Sequence, residues 1–206
     1  FRLFIAQQPA CIVVFEACGS ANYWAREVEK LGHEPKLIAP QYIRPFVKRQ
    51  KNDATDAEAI VIAARQPEMR FVLPKTAEQQ AKSVLFRNRE RLVRQRTELV
   101  SALRSALYEY GYVFPIGLAH LKRMDALVQG RDCDLPSLIV TECRELLAQI
   151  AETTEKITTK TKRLKALAEE TDTARRLQTM PGVGPLTALA VEAFAPQMGQ
   201  FRCGRD

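Results

Sequence analysis

Cys11-Ile-Val-Val-Phe-Glu16-Ala-Cys-Gly-Ser20, then the helical stretch Ala21 to Leu31, Gly32, and Lys36-Leu-Ile-Ala39-Pro40 form the stretch on which the fold reading turns. The run Cys11–Phe15 is short, continuous and apolar, as expected of a strand buried on both faces. Ala21–Leu31 places Tyr23, Trp24, Val28 and Leu31 on roughly one helical face, and Gly32 stands where helices stop. Lys36–Ala39 reads as a second strand closed by Pro40. Strand, helix and strand in so few residues predict a βαβ unit with parallel strands. A further helix is expected from near Asp53 through Ala57, Ile60, Val61 and Ala64 to Pro67.

The texture changes from Thr76 onward. Leu85, Leu92, Leu99 and Ala106 recur every seven residues, with Leu103 and Tyr110 partly filling the alternate positions. Leu146, Ile150, Thr153, Ile157, Lys160, Leu164 and Leu167 alternate fours and threes. Both patterns are heptad-like and predict two long helices joined through the Gly- and Pro-containing segment 111–136. The pattern admits either an antiparallel hairpin or a dimer. A last stretch, Arg175 to Phe194, joins Pro181-Gly-Val-Gly-Pro185 to an Ala/Leu-rich helix.

The chain has 206 residues, 46% hydrophobic and 27% charged, a composition of ordinary globular proteins rather than disordered ones. Its net charge of +7 makes a polyanionic partner plausible, because basic charge attracts phosphates without regard to sequence. The five cysteines (Cys11, Cys18, Cys133, Cys143, Cys203) form no C-x-x-C, and His33 and His120 are the only histidines. That excludes a clustered zinc site and fits free thiols in a reducing cytoplasm. No apolar run reaches membrane-spanning length. The apolar start is broken by Gln7, Gln8, Pro9 and Glu16, unlike a signal peptide. The first residue is Phe1 and the last Asp206, so both ends read as cut.

Four features could carry chemistry. Glu16 follows β-prone residues at a strand's carboxyl end, the edge where open α/β sheets build sites. Taken alone it reads as an ordinary solvated acid at a strand end. Asp53 and Asp56 stand three apart, which points both carboxylates to one side of a helix. With Glu16 they could hold Mg²⁺ or Mn²⁺, hard cations that prefer oxygen ligands. The competing account is an aspartate N-cap with an acid in the first turn. Arg44, Lys48, Arg49 and Lys51 precede the acid pair. Arg87, Arg89, Arg91, Arg94, Arg96 and Arg104 lie on the first long helix, with only Glu90 and Glu98 to pair. Arginine forks suit phosphate. Gly182, Val183 and Gly184 form a turn before a helix N-terminus, a place for a phosphate or simply a link between helices.

In this order the pieces resemble the DEDD transposases of insertion sequences. Val13-Val-Phe-Glu16-Ala-Cys-Gly-Ser-Ala-Asn-Tyr-Trp24 is similar to the family strand bearing an acidic Glu. Pro40-Gln-Tyr-Ile-Arg-Pro-Phe-Val-Lys-Arg-Gln-Lys-Asn-Asp53-Ala-Thr-Asp56 is similar to the segment with its last two Asp residues. Arg87 to Leu107 resembles the basic helix that follows, and Met180-Pro-Gly-Val-Gly-Pro-Leu-Thr-Ala188 the helix-hairpin-helix start of the C-terminal domain. The resemblance implies an α/β, then mostly α, chain: a partial RNase H-like (resolvase-like) domain over 1–74, a helical coiled-coil region over 75–172 and the start of a helix-hairpin-helix domain over 173–206.

It further implies that Glu16, Asp53 and Asp56 are metal-binding catalytic residues, with Asp53 free to cap its helix as well. Arg44, Lys48, Arg49, Lys51, Arg87, Arg91, Arg94 and the turn Gly182-Val183-Gly184 would contact nucleic acid. The function implied is metal-dependent cleavage and joining of DNA in the bacterial cytoplasm, at the nucleoid. A structured guide RNA and a homo-oligomer through the long helices are expected partners. The family's first Asp lies upstream and its serine nucleophile downstream of this stretch, so the 206 residues are expected to be inactive alone. The alternatives are a non-catalytic basic helical module that binds DNA or RNA, a self-contained resolvase and a structural coiled-coil adaptor.

Overall fold

The structure is a computed structural model that describes residues 1–48, 52–130 and 134–195. The chain divides into two compact units, one of residues 1–81 with 192–206, the other of residues 82–191. The α/β part precedes the helical part, as the sequence order predicts.

In the first unit, α1 (Arg2–Ala6) leads into β1 (Ile12–Glu16), α2 (Ala21–Lys30) and β2 (Glu34–Ile38). β1 and β2 are parallel and paired along their whole length, from Ile12 opposite Glu34 to Glu16 opposite Ile38. The expected βαβ unit is therefore present. Its helix ends where Gly32 takes φ +86°. There the Gly32 N–H donates to Glu29 and the His33 N–H to Val28, closing a Schellman motif that satisfies two orphan carbonyls. Ala21, Ala25 and Val28 form the buried stripe of α2, while Tyr23 is 49% exposed. The packed face is thus the small-residue one, not the aromatic one.

Short α3 (Pro40–Ile43) and a 3₁₀ turn (Arg44–Phe46) lead to α4 (Asp53–Ala64). The two-residue strand β3 (Phe71–Val72) then adds antiparallel to β2, giving the sheet order β1-β2-β3. The sequence reading did not find β3, because two residues carry no alternation. Buried His33 links the start of the unit. Its Nε2 lies 3.0 Å from the Ile5 carbonyl, and its Nδ1 lies 3.2 Å from the Cys11 amide nitrogen. A proton on Nε2 satisfies both, since Nε2–H then donates and Nδ1 accepts.

In the second unit, α5 (Ala77–Tyr108, entering at residue 82) is followed by a 3₁₀ turn (Leu118–His120), α6 (Leu121–Gln129), α7 (Ser137–Glu170), α8 (Asp172–Leu177) and α9 (Pro185–Phe194, within this unit to residue 191). Helix α6 lies within the joining segment, where no helix was expected. Cys143, Ile150, Ile157 and Leu164 are buried at strict seven-residue spacing along α7. Val100, Leu103 and Leu107 of α5 pack with Cys143 and Ile150, while Leu85 and Phe86 pack with Leu164 and Ala168. Early α5 meets late α7 and late α5 meets early α7, so the pair is an antiparallel hairpin. Its heptad seam is filled within one chain. Tyr110 lies beyond α5 and is 41% exposed.

Two outcomes follow from this packing. Leu103→Ala should cost about 2–5 kcal/mol in urea denaturation, because Leu103 is fully buried in the seam. Tyr110→Ala should change stability by only about 0.5 kcal/mol. The second outcome concerns Glu27 on α2, whose carboxylate sits 2.7 Å from Lys30 and 3.7 Å from Arg2. The Lys30 hydrogen bond chiefly holds Glu27 below its ordinary value of 4.5, with burial opposing and the charges of Lys30, Arg2 and Arg26 assisting. A depressed acid stabilises the fold above its unfolded pKa and loses that contribution as pH falls through the folded one. The stability difference between the parent and Glu27→Gln should therefore be flat above about pH 5 and shrink below it.

Candidate active site

Glu16 is the last residue of β1, and the period of two along a strand fixes where it points. Val14 packs with Ile38, Ala59 and Ala63, on the face covered by α4. Phe15 packs with Ala21, Ala25 and Leu37, on the face covered by α2. Glu16 shares the parity of Val14, so its carboxylate stands on the α4 face, half-buried. Ile12 and Val14 line one groove with Val61, Ala64 and Arg65. The carboxyl end of α4 therefore lies beside the start of β1, and the amino end of α4 lies toward Glu16. Asp53 and Asp56 occupy that first turn, Asp53 exposed and Asp56 half-buried. Glu16 and the helix that carries Asp53 and Asp56 thus share one face of the sheet.

The cap of α4 is Asn52, not Asp53. The Asn52 Oδ1 accepts the Thr55 N–H at 2.9 Å, and the Thr55 Oγ1 accepts the Asn52 N–H at 3.2 Å, a reciprocal capping box. This corrects the sequence reading, which left the aspartate as the candidate cap beside its metal role. The signal was present as Asn52-x-x-Thr55. Both aspartates are consequently released from capping.

Three carboxylates are the right donor type for a hard divalent cation. Among the described residues, however, no three His, Cys, Asp or Glu side chains are gathered closely enough to hold one ion. A shared face is formed, and among the described residues a closed ligand set is not.

Of the basic residues near this edge, Arg44 is exposed in the 3₁₀ turn. Lys48 donates to both carboxylate oxygens of Glu58, at 2.8 and 2.9 Å. Glu58 on α4 is a partner the sequence reading missed, because ten residues separate the two. Arg49 and Lys51 lie outside the described residues.

In the second unit, Arg87, Arg91 and Arg94 follow one another at i, i+4 and i+7 on α5, all exposed, with Arg91 donating to Gln95 at 3.0 Å. Arg89 is turned inward, donating to Thr161 Oγ1 at 2.9 Å and to Glu90. Arg96 buries its Nε without a hydrogen-bond partner among the described residues. Met180-Pro-Gly-Val183 makes a turn closed by Val183 N–H to the Met180 carbonyl at 3.1 Å. Gly182 there has φ +83°, which the third position of a type II turn requires after a proline. Gly184 begins the next helix by accepting from the Ala188 N–H, and Val183 packs inward beside Leu189.

A transposase family model, the DEDD type of IS110, matches residues 2–112. The chain belongs to the DEDD transposase family. It is 41% identical over its whole length to a probable family 20 transposase of Pseudomonas aeruginosa, covering 61% of that protein. It is 41% identical over 90% of its length to the transposase for insertion sequence element IS1328 of Yersinia enterocolitica, covering 55%. It is also 38% identical over 94% of its length to the transposase for IS1111A of Coxiella burnetii, covering 54%. The chain thus spans roughly half to three-fifths of these relatives' lengths. No solved structure matches it. Among the described residues no helix is long and apolar enough to cross a membrane.

For a chain of the DEDD family, the capping box separates two roles that one aspartate could have confused. Asn52→Ala should cost about 1 kcal/mol of stability in thermal or urea unfolding. Asp53→Asn should cost less, a few tenths of a kcal/mol from the helix dipole alone. Equal losses would mean that Asp53 also holds the helix end.

Proposed function

We propose that this chain forms part of a DNA transposase that cuts and joins strands with Mg²⁺ or Mn²⁺, and that Glu16, Asp53 and Asp56 belong to its metal-binding catalytic set. The reading is supported by the packing of α4, which carries Asp53 and Asp56, on the face of β1 that Val14 and Glu16 share, with α4 capped by Asn52 instead. A metal bound by such carboxylates would polarise a phosphodiester and lower the pKa of an attacking water. The chain's own contribution is to fix one carboxylate on a paired strand and two on the first turn of a packed helix. Glu16 is held by the β1–β2 ladder, and Asp56 is half-buried in the first turn of α4.

In this reading residues 1–74 are the RNase H-like part of a longer nuclease domain that supplies further ligands. Residues 75–172 are the coiled-coil region, and α8, the Pro181–Gly184 turn and α9 begin a helix-hairpin-helix domain. Arg44, Arg87, Arg91, Arg94 and the Gly182–Gly184 turn serve the DNA backbone, in the bacterial cytoplasm at the nucleoid. A guide RNA rests on the arginines alone. A homo-oligomer would use surfaces other than the α5–α7 seam, which is filled within the chain.

The second reading, a nucleic-acid-binding module without chemistry, is favoured by the absence of a gathered three-acid group among the described residues. Nicking of supercoiled and branched DNA separates the two, with the chain tested beside a version extended to its relatives' length. The extended protein should nick only with Mg²⁺ or Mn²⁺, and Asp53→Asn or Asp56→Asn should lower the rate by at least about 10–100-fold. Binding without nicking in both proteins would favour the second reading. Nicking by the 206-residue chain that is lost in Asp53→Asn would make it a self-contained nuclease.

A further inference from the structure

The hydrogen bond from Arg89 Nε to Thr161 Oγ1 sets two particular stretches side by side, residues 87–96 of α5 and 156–165 of α7. The packing of Leu85 and Phe86 with Leu164 and Ala168 confirms that alignment. Each stretch carries five basic residues, and Glu90 is the single acid in either. Twenty residues therefore hold a net charge of +9, more than the +7 of the entire chain. The fold, not the sequence order, concentrates it, because 65 positions separate Arg91 from Lys156.

Internal pairing offsets only part of this charge, and Arg87 has an interaction of its own. Arg89 meets Glu90, and Lys156 meets Glu152 from just outside the stretch. Among the described residues, Arg94, Arg96, Lys160, Lys162, Arg163 and Lys165 have no hydrogen bond or ion pair. Lys156 and Lys160, like Arg87 and Arg91, are like charges four apart on a helix, an arrangement that weakens it. A polyanion would relieve that repulsion.

We infer that the aligned basic stretches of α5 and α7 form one docking element for the backbone of duplex DNA, with Lys162, Arg163 and Lys165 as contributors that the arginine stripe alone does not reveal. Charge density favours a duplex. Ten residues of helix span about 15 Å, so the pair holds roughly one net positive charge per 1.7 Å, part of it turned inward at Arg89 and Arg96, which is nearer the charge spacing of a DNA duplex than of a single strand. A single strand carries about half that density. The choice of DNA rests on the transposase reading above; the docking element itself rests on the charge and the alignment.

The test is binding of the full chain to a 30-base-pair DNA duplex across a salt series, with unfolding midpoints measured to verify folding. Lys162→Ala/Arg163→Ala/Lys165→Ala, all exposed positions, should weaken binding about 10-fold or more. It should also reduce the slope of log affinity against log salt by about 0.9 for each lost phosphate contact. Arg87→Ala/Arg91→Ala/Arg94→Ala should act likewise, and Arg144→Ala, outside both stretches, should leave the slope unchanged. Loss in the α5 triple variant with none in the α7 triple would overturn the two-helix element yet leave the arginine helix standing. No change in either would remove both. Tighter binding of single-stranded DNA or of an RNA duplex than of the DNA duplex would overturn the assignment of partner.

Discussion

Side chains of β1 alternate between α4 and α2, and the parallel ladder to β2 holds that alternation in register over five residues. A slip by one residue would exchange the faces, sending Val14 and Glu16 toward α2 and Phe15 toward α4. The buried environments on the two sides resist such a slip. Ala59 and Ala63 leave room for Val14 and Ile38 on one side, and Ala21 and Ala25 for Phe15 and Leu37 on the other. The position of the one acid on the strand is thus a by-product of core packing. Hydrophobic contacts made two residues earlier decide which helix Glu16 confronts.

Much of this unit is legible in the chain because its signals are local. An apolar run, an amphipathic stretch and a glycine at a helix stop suffice for β1, α2 and the turn at Gly32. What local pattern does not contain is direction. Asp53 and Asp56 are adjacent by spacing, but only the packing of Val61, Ala64 and Arg65 beside Ile12 and Val14 sets their helix on the face of Glu16. The family resemblance supplied the three acids as a set, and the structure supplied the face that Glu16 and α4 share. The identity of the cap was readable and missed, since an aspartate in the first turn outshone the asparagine before it.

In the helical unit the heptads announced two long helices but left their partner open. The phase became clear only in three dimensions, where Cys143 extends the series of Ile150, Ile157 and Leu164, and Tyr110 drops out beyond the end of α5. Helix α6 escaped notice because nine residues between glycine-bearing loops show barely two turns of period, although Met124 and Val128 fill the gap beside Leu103 and Leu107. Short elements are fixed by what they cover.

Helix α7 also changes sign along its length. Residues 142–155 hold four glutamates and one arginine, whereas residues 156–165 hold five basic residues and no acid. In the field of a polyanion such a rod experiences a torque as well as an attraction, so the basic stretch, which stops short of Glu169 and Glu170, would lead on approach and residues 142–155 would be turned away. The effect operates within about 10 Å at 0.1 M salt. Orientation would thus be selected during encounter, before any specific contact forms.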